Sequence, residues 1–422
     1  IKLAEKGYKC YLGNKSEIWR LFDRLKNFAY LDKGYHENFS KQKIYEKVVE
    51  RNGLLFNLDE EGGVDFSGSP TILRRYSQNV FKYMEKVFLW GEDQRLLLKK
   101  NNLFYNDEKV VVSGHPRFQL LSNPYRRIYQ KEIKPKVDKY GKFILFNSNS
   151  KYSNHLRGED FLISNYGKRI ENINERIEYD KEKLKHNIEL IKEINDKLDY
   201  NIIIRPHPEE NIDFYKKLFK NNQKIFSIYD QDVIPWLLSC KFMIHNDCTT
   251  AIEYFISGKE PIAFNHKLEK KLSARDPISI SRNFSDISEL ISFIKKGEKI
   301  SENFDYKKIN RKFSKDLDSF HIIVEEIDKG IKKKYQTSIE TKTFINFNNN
   351  FLNFFRLIKT YFFLNKADKL IKNKTKGLSD SEYVFNMFNK ILKISNTRLV
   401  KIKNHGSCLL YTSDAADEED SV

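Results

Sequence analysis

The stretch Asn201-Ile-Ile-Ile-Arg-Pro-His-Pro-Glu-Glu210 constrains the fold of this chain more than any other. Three consecutive isoleucines, Ile202 to Ile204, read as a strand buried on both faces, as in a parallel sheet. The strand must stop at Pro206, because proline has no N–H to give a ladder and restricts the residue before it. His207 then stands at the carboxyl end of the strand, ahead of a helical pattern of Phe214, Leu218 and Phe219. Open α/β sheets bind ligands at that edge. A histidine, an arginine (Arg205) and a helix N-terminus converge there, which suits an anion such as a phosphate. The same four residues, Arg205-Pro-His-Pro208, also suit a stiff turn with no ligand.

A second stretch repeats the pattern. Lys241-Phe-Met-Ile-His-Asn-Asp-Cys-Thr-Thr250 reads as another short buried strand opening into a helix. Asp247, Thr249 and Thr250 are residues that cap helix N-termini, so their oxygens and the free N–H groups belong at the same sheet edge as Asn246. Glu253 follows on the first turns, Gly258 closes the helix, and Pro261 to Phe264 resumes the sheet. Two such turns in one domain suggest a nucleotide pocket.

The first 130 residues alternate strand and helix, with strands at Lys9–Gly13, Asn27–Leu31, Leu54–Leu58, Val87–Trp90 and Val110–Val112. Alternation at this spacing implies a doubly wound parallel sheet. Its third strand ends in Asp59-Glu-Glu-Gly-Gly63. Three adjoining carboxylates repel one another, and one with a raised pKa beside a flexible glycine, Gly62, can act as a general base. An acidic surface turn has the same composition. Trp90-Gly-Glu-Asp-Gln94 ends the next strand, which puts Gly91 and Gln94 along the same cleft. Ser113-Gly-His-Pro-Arg117 ends the one after, and His115 there can contact a ligand or anchor its loop. Residues 125–142, basic and proline-bearing, read as an interdomain linker, and Lys142–Phe146 starts a second sheet. Residues 159–198 read as a long charged helix or helix pair. Asp230-Gln-Asp232 has the form of a metal–nucleotide motif, but its position favours a helix cap.

A chain of 422 residues is too long for one core, so two domains with additions are expected. No apolar run has transmembrane length, and there is no secretory signal. The four cysteines lack ligand spacing, which argues against a disulfide framework or zinc site and fits a reducing compartment. A net charge of +17 fits nucleic acid, an anionic membrane face, an anionic substrate, or simply a genome composition that favours lysine. Stacking modules for RNA are missing, so no nucleic-acid partner is expected. From Ser301 the chain turns basic and loses glycine and proline. Within it Phe351, Phe354, Phe355, Ile358, Phe362 and Phe363 would form one apolar helix side, for packing or for a membrane surface. The tract from Cys408 to Glu418 resembles a translated sequencing adapter and is set apart. The chain starts at Ile1 within a helical pattern, as a fragment would.

Glu60-Glu61-Gly62, His207-Pro208 and Thr249-Thr250 together resemble the ordered motifs of bacterial sialyltransferases and related Kdo transferases. The wider set, Asp-Glu-Glu-Gly, Trp-Gly, Gly-His-Pro-Arg, Arg-Pro-His-Pro and Cys-Thr-Thr-Ala-Ile-Glu, is similar to bacterial capsule and lipopolysaccharide biosynthesis proteins over residues 1–290. The resemblance implies a GT-B-like α/β fold, with two Rossmann-like doubly wound domains facing a cleft and a basic helical C-terminal extension. The expected divisions are 1–130 (acceptor side, first strand missing), 131–300 (nucleotide side), 301–407 (extension) and 408–422 (adapter-like). It implies an inverting glycosyltransferase that moves an acidic sugar from a CMP-activated donor to a surface glycan, with no metal and no cofactor. Such an enzyme would be cytoplasmic or peripheral on the inner membrane. By the resemblance, Glu60 or Glu61 deprotonates the acceptor, and His207 stabilises the departing phosphate with Thr249 and Thr250. Arg205 pairs with a donor anion or with Glu209, and Glu253 holds the ribose. The rival readings are a GT-B-like polyol-phosphate transferase or nucleotide-sugar epimerase, and a non-enzymatic basic RNA- or membrane-binding protein.

Overall fold

The computed structural model describes residues 2–13, 15–33, 39–60, 62–63, 72–104, 106–167, 170, 172–230, 232–297, 306–335, 401–405 and 408–412. Glu61 and the aromatic–basic segment from Phe344 to Leu364 lie outside them. The strands in chain order are β1 (Cys10–Gly13), β2 (Ala29–Lys33), β3 (Leu54–Leu58), β4 (Met84–Leu89), β5 (Val110–Val112), β6 (Phe143–Asn147) and β7 (Asn201–Arg205). They continue with β8 (Ile225–Ser227), β9 (Phe242–His245), β10 (Ile262–Phe264), β11 (Arg282–Phe284), β12 (Lys401–His405) and β13 (Cys408–Thr412).

Two parallel sheets form the body, each Rossmann-like. The first has order β2-β3-β4-β5 and the second β11-β10-β9-β6-β7-β8. All neighbouring strands in both sheets run parallel. The central strands β3 and β6 are buried at every residue, as strands covered by helices on both faces must be. In the second domain the 25-residue helix Ile173–Lys197 lays Leu184, Leu190, Ile191 and Ile194 against Ile144, Phe146, Ile202 and Ile204. The opposite face is closed by Trp236, Leu237, Ala251 and Tyr254.

Three expectations from sequence change. The strand expected at Lys9–Gly13 does not join the first sheet. β1 pairs antiparallel with β13, inside the tract set apart as adapter-like, and β13 pairs with β12. The reason is visible in β1 itself, where Leu12 is 46% exposed, unlike any residue of a sheet interior. The stretch read as a linker is mostly helical, with a 3-10 turn at Tyr125–Tyr129 and a helix at Gln130–Tyr140 that runs through Pro135. Packing of Ile128 and Tyr129 on Leu238, with Ile133 beside them, outweighs the hydrogen bond that proline cannot make.

Residues 306–335, expected with the basic extension, return to the first sheet. The helix Ser319–Tyr335 places Ile323, Ile327 and Ile331 on one face at spacings of four, against Leu54, Phe56, Leu58 and Phe88. Each such buried side chain is worth about 1.5–3 kcal/mol. The chain therefore crosses from the first domain to the second and back again. Among the described residues no helix is long and apolar enough to cross a membrane.

Candidate functional site

The strand ends of the first domain are held by Asp59, the residue after β3. Asp59 is fully buried, and its carboxylate pairs with Arg75, also buried, at 3.0 Å. Its carbonyl accepts from Trp90 Nε1, and its carboxylate accepts from Gln94 Nε2 at 3.4 Å. Gln94 Oε1 in turn accepts from the Trp90 amide at 2.8 Å. The three carboxylates of Asp59-Glu60-Glu61 are thus not equivalent. One is neutralised inside the fold, Glu60 has its side chain 38% exposed, and Glu61 lies outside the described residues.

Gly91 and Gln94, expected along the cleft, instead secure it. A side chain on Gly91 would run into the Arg311 and Lys312 carbonyls of the returning segment, so only glycine allows that approach. Gly62 lies close against Trp90 and Gln94.

His115 begins the short helix Pro116–Gln119 after β5. Its Nδ1 accepts from the Arg117 amide at 3.2 Å, so the neutral ring carries its proton on Nε2. Nε2 is buried without a hydrogen-bond partner and lies 3.8 Å from Glu60 Oε1. Burial, with the Arg117 charge beside it, pushes the His115 pKa down to about 3, so the ring is neutral at ordinary pH. One nitrogen anchors the loop, and the other faces Glu60.

In the second domain His207 Nδ1 accepts from the Glu209 amide at 3.2 Å, which likewise leaves the proton of the neutral ring on Nε2. The turn closes with a bond from the Glu210 amide to the His207 carbonyl at 2.8 Å, with Pro208 inside it. Glu210 organises this edge. It is buried and accepts from the His207 amide (2.9 Å), the Ser150 amide (3.0 Å), Ser148 Oγ (2.8 Å) and Tyr215 Oη (2.8 Å). Desolvation raises its pKa, and the four bonds oppose the rise.

Arg205 is turned toward Asp230, with its Nε buried without a hydrogen-bond partner. Its Nη2 donates to the Asp230 carbonyl at 2.8 Å, and the guanidinium lies over Tyr229. Glu209, the side-chain partner weighed for Arg205, accepts from Tyr166 Oη at 3.5 Å. Asn246, expected on the donor, is 1% exposed. Its amide exchanges bonds with Asn187 at 2.9 Å and donates to the Phe264 carbonyl at 2.6 Å. Asp232 accepts from the Ile234 amide at 3.0 Å, in line with the cap reading of Asp230-Gln-Asp232.

Thr249 and Thr250 stand at the start of the helix Thr250–Ile256. Thr249 makes no capping bond, whereas Thr250 Oγ1 accepts from Asn147 Nδ2 at 2.7 Å. Asp247 ties Asn149 Nδ2 (2.8 Å) to the Ala274 amide (3.0 Å). Lys183, on the long helix, donates to the Asn149 carbonyl at 2.7 Å and pairs with buried Asp180 at 2.5 Å. Sequence reasoning did not single out Lys183, Asn147 or Glu210. Only Glu210 carried a local signal, as the end of the Arg-Pro-His-Pro-Glu-Glu run.

The two edges meet. A side chain on Gly63 would clash with Ile252 Cδ1 and reach Thr249 Cγ2 at 3.8 Å, so the loop carrying Glu60 rests on the Thr249–Ile252 turn. Trp90, Phe118 and Phe313 share one apolar cluster with Ile252, Phe255 and Ile280 across this seam. Arg117 Nε lies 3.4 Å from Glu253 Oε1 across the same seam. Arg126 Nη1 donates to the Ser257 carbonyl at 3.2 Å.

No family model and no curated protein matches the sequence. Solved structures similar in fold include the UDP-GlcNAc 2-epimerase of Methanocaldococcus jannaschii in complex with UDP-GlcNAc and UDP. That similarity has 16% identity, 75% of this chain, 79% of that chain and a TM-score of 0.48. The UDP-GlcNAc 2-epimerase of Neisseria meningitidis bound to UDP-GlcNAc is also similar, at 14% identity over 76% of this chain and 80% of that chain, with a TM-score of 0.43. A third is the wall teichoic acid polymerase TagF, at 11% identity over 77% of this chain and 95% of that chain, with a TM-score of 0.42.

Proposed function

We propose that the protein is an inverting glycosyltransferase that takes an acidic sugar from a CMP-activated donor to a surface-glycan acceptor. The observation that carries this reading is the contact of Gly63 with the Thr249–Ile252 turn, which brings the loop bearing Glu60 from one sheet edge against a strand-to-helix turn from the other. A base must reach the acceptor hydroxyl, and among the described residues of its loop Glu60 offers an exposed carboxylate. The acceptor oxygen, relieved of its proton, attacks the anomeric carbon. The bond from that carbon to the CMP phosphate breaks, and the phosphate leaves with the electron pair.

His207 suits the departing phosphate because its Nδ1 is already an acceptor, so Nε2 is the donor. Thr249, which makes no capping bond, adds a hydroxyl on the same side. Glu253 takes the ribose. Arg205 and Asn246 support the site at one remove, since their side chains are tied to Asp230 and to Asn187 and Phe264.

A thermal-shift panel of CMP, CDP, UDP and GDP tests the donor. A ligand at a hundred times its dissociation constant stabilises by about 2.7 kcal/mol. CMP should give the largest rise in Tm. An equal response to all four nucleotides would remove the CMP assignment. Product analysis with CMP-sugar, UDP-sugar and CDP-polyol donors separates sugar transfer from polyol-phosphate transfer and from epimerisation.

A further inference from the structure

Arg117 and Glu253 face each other across the domain seam without completing a hydrogen bond. Arg117 Nε is 3.4 Å from Glu253 Oε1, yet both Arg117 Nε and Glu253 Oε2 are buried with no hydrogen-bond partner. Glu253 is 7% exposed. The Arg117 side chain is 33% exposed, so the carboxylate bears most of the desolvation cost, regained only when its hydrogen bonds are made, which leaves the pair open to exchange for better partners. The guanidinium is held in place from below. It lies 4.8 Å from the Trp90 ring centre and 5.3 Å from that of Phe118, an attraction that holds the charge beside both rings. His115 Nε2, two residues away and packed on the same Trp90, is a third buried atom without a partner.

The chemistry of these three atoms is specific. Glu253 Oε2 can only accept. Arg117 Nε can only donate, and His115 Nε2 donates because Nδ1 already accepts. One acceptor and two donors left open in one seam match a ligand that brings hydroxyls together with an anionic oxygen. A ribonucleotide has both. We propose that Arg117 is a ligand for the anionic oxygen of the donor, exchanged from Glu253 to that oxygen when the ribose hydroxyls take the carboxylate. This rests on the reading of the cleft as a nucleotide site, and it adds a residue of the first domain to the donor side. Nucleotide binding would thereby engage both domains at once.

Titration calorimetry on the full chain separates the parts, using cytidine, CMP and 2′,3′-dideoxycytidine monophosphate, with uridine and UMP in parallel. Arg117→Ala should weaken CMP tenfold or more, while cytidine binds within twofold of wild type or tighter, because Glu253 is released. Glu253→Gln should do the reverse, losing cytidine while the dideoxy nucleotide holds within twofold. Arg117→Lys keeps the charge without the planar fork and should fall between. It decides the matter if the alanine variant does not fold. Equal weakening of cytidine and CMP by Arg117→Ala, or no weakening of either, makes the pair a structural latch and overturns the proposal. Wild type binding UMP but not CMP would remove the CMP donor and leave the Arg117 test to run on UMP. Wild type binding no nucleotide would overturn both.

Discussion

At the end of β7, Glu210 collects four hydrogen bonds and locks the His207 turn, whereas at the end of β5, His115 Nε2 and Arg117 Nε are buried with none. The His207 turn is closed from within its own domain. Ser148, Ser150, His207 and Tyr215 come from two strand-end loops and a helix, and one carboxylate satisfies them all. The first-domain edge is complete only below the surface, where Asp59, Arg75, Trp90 and Gln94 bond to one another. Above that layer His115 Nε2 lies 3.8 Å from Glu60, and Arg117 Nε lies 3.4 Å from Glu253 of the other domain. The difference teaches how a two-domain site divides its work. The Glu210 turn is held from within its domain, whereas Arg117 and Glu253, one from each domain, each keep a buried atom without a hydrogen-bond partner.

The largest effect should come from the open edge. Glu60→Gln should lower turnover by about two to four orders of magnitude, the usual weight of a general base, with CMP affinity near wild type. Glu61→Gln is the companion variant. If Glu61→Gln is the inactive one, the base moves by one residue. Full activity in both would break the assignment of the first-domain edge altogether.

Next is the Glu210 turn. Glu210→Ala leaves the buried Ser150 and His207 amides without an acceptor, at about 1–3 kcal/mol each. Urea denaturation should register a loss of about 3 kcal/mol, with CMP affinity falling as the His207 turn loosens. A loss under about 0.5 kcal/mol, the range of ordinary surface substitutions, would mean that Glu210 does not organise the edge. His207→Ala sharpens the contrast, because it leaves the Glu210 turn but removes the donor. It should weaken CMP by about 1.5–3 kcal/mol if the lost bond is to a charged oxygen, and lower turnover as well. Unchanged affinity and rate would move the phosphate away from β7.

The smallest effect concerns pH, where the two domains pull in opposite directions. Burial raises the Asp232 pKa to about 6 and lowers that of His115 to about 3. For Asp232 the folded value lies above the unfolded value of 3.8, so its contribution is intact below pH 4 and is lost as pH rises through 6. For His115 the folded value lies below the model-peptide 6.5, so stability falls as pH drops from there toward 3. Asp232→Asn should therefore match wild type near pH 4 and exceed it in stability at pH 7. A thermal midpoint that shifts equally at both pH values would show that Asp232 titrates as an exposed carboxylate does.

Some of this was legible in order along the chain. The isoleucine run at Ile202–Ile204 announced β7, and the proline after Arg205 announced its end, because both effects are local. The strand-helix alternation likewise announced two parallel sheets. β1 was misread because a four-residue apolar run does not say which strand it will pair with, and register and partner are tertiary facts. The helix Ser319–Tyr335 looked like the start of a basic tail. Its three isoleucines at spacings of four were visible, but not the sheet they would cover.

The candidate site divides along the same line. Sequence alone put Glu60, His115, His207 and Thr249 at strand ends and Glu253 on the first turns of the helix that follows, because strand-to-helix turns are written in local residue types. Only the tertiary structure buried Asp59 against Arg75, spent Asn246 on Asn187 and Phe264, and turned Arg205 toward Asp230. Only it brought Arg117 to Glu253, 136 positions later in the chain. Backbone preference acts within a few residues, so the sequence determines where a turn falls and which groups it offers. Whether an offered group is spent or left open depends on which distant atoms packing places within hydrogen-bond reach, and that only the folded chain decides.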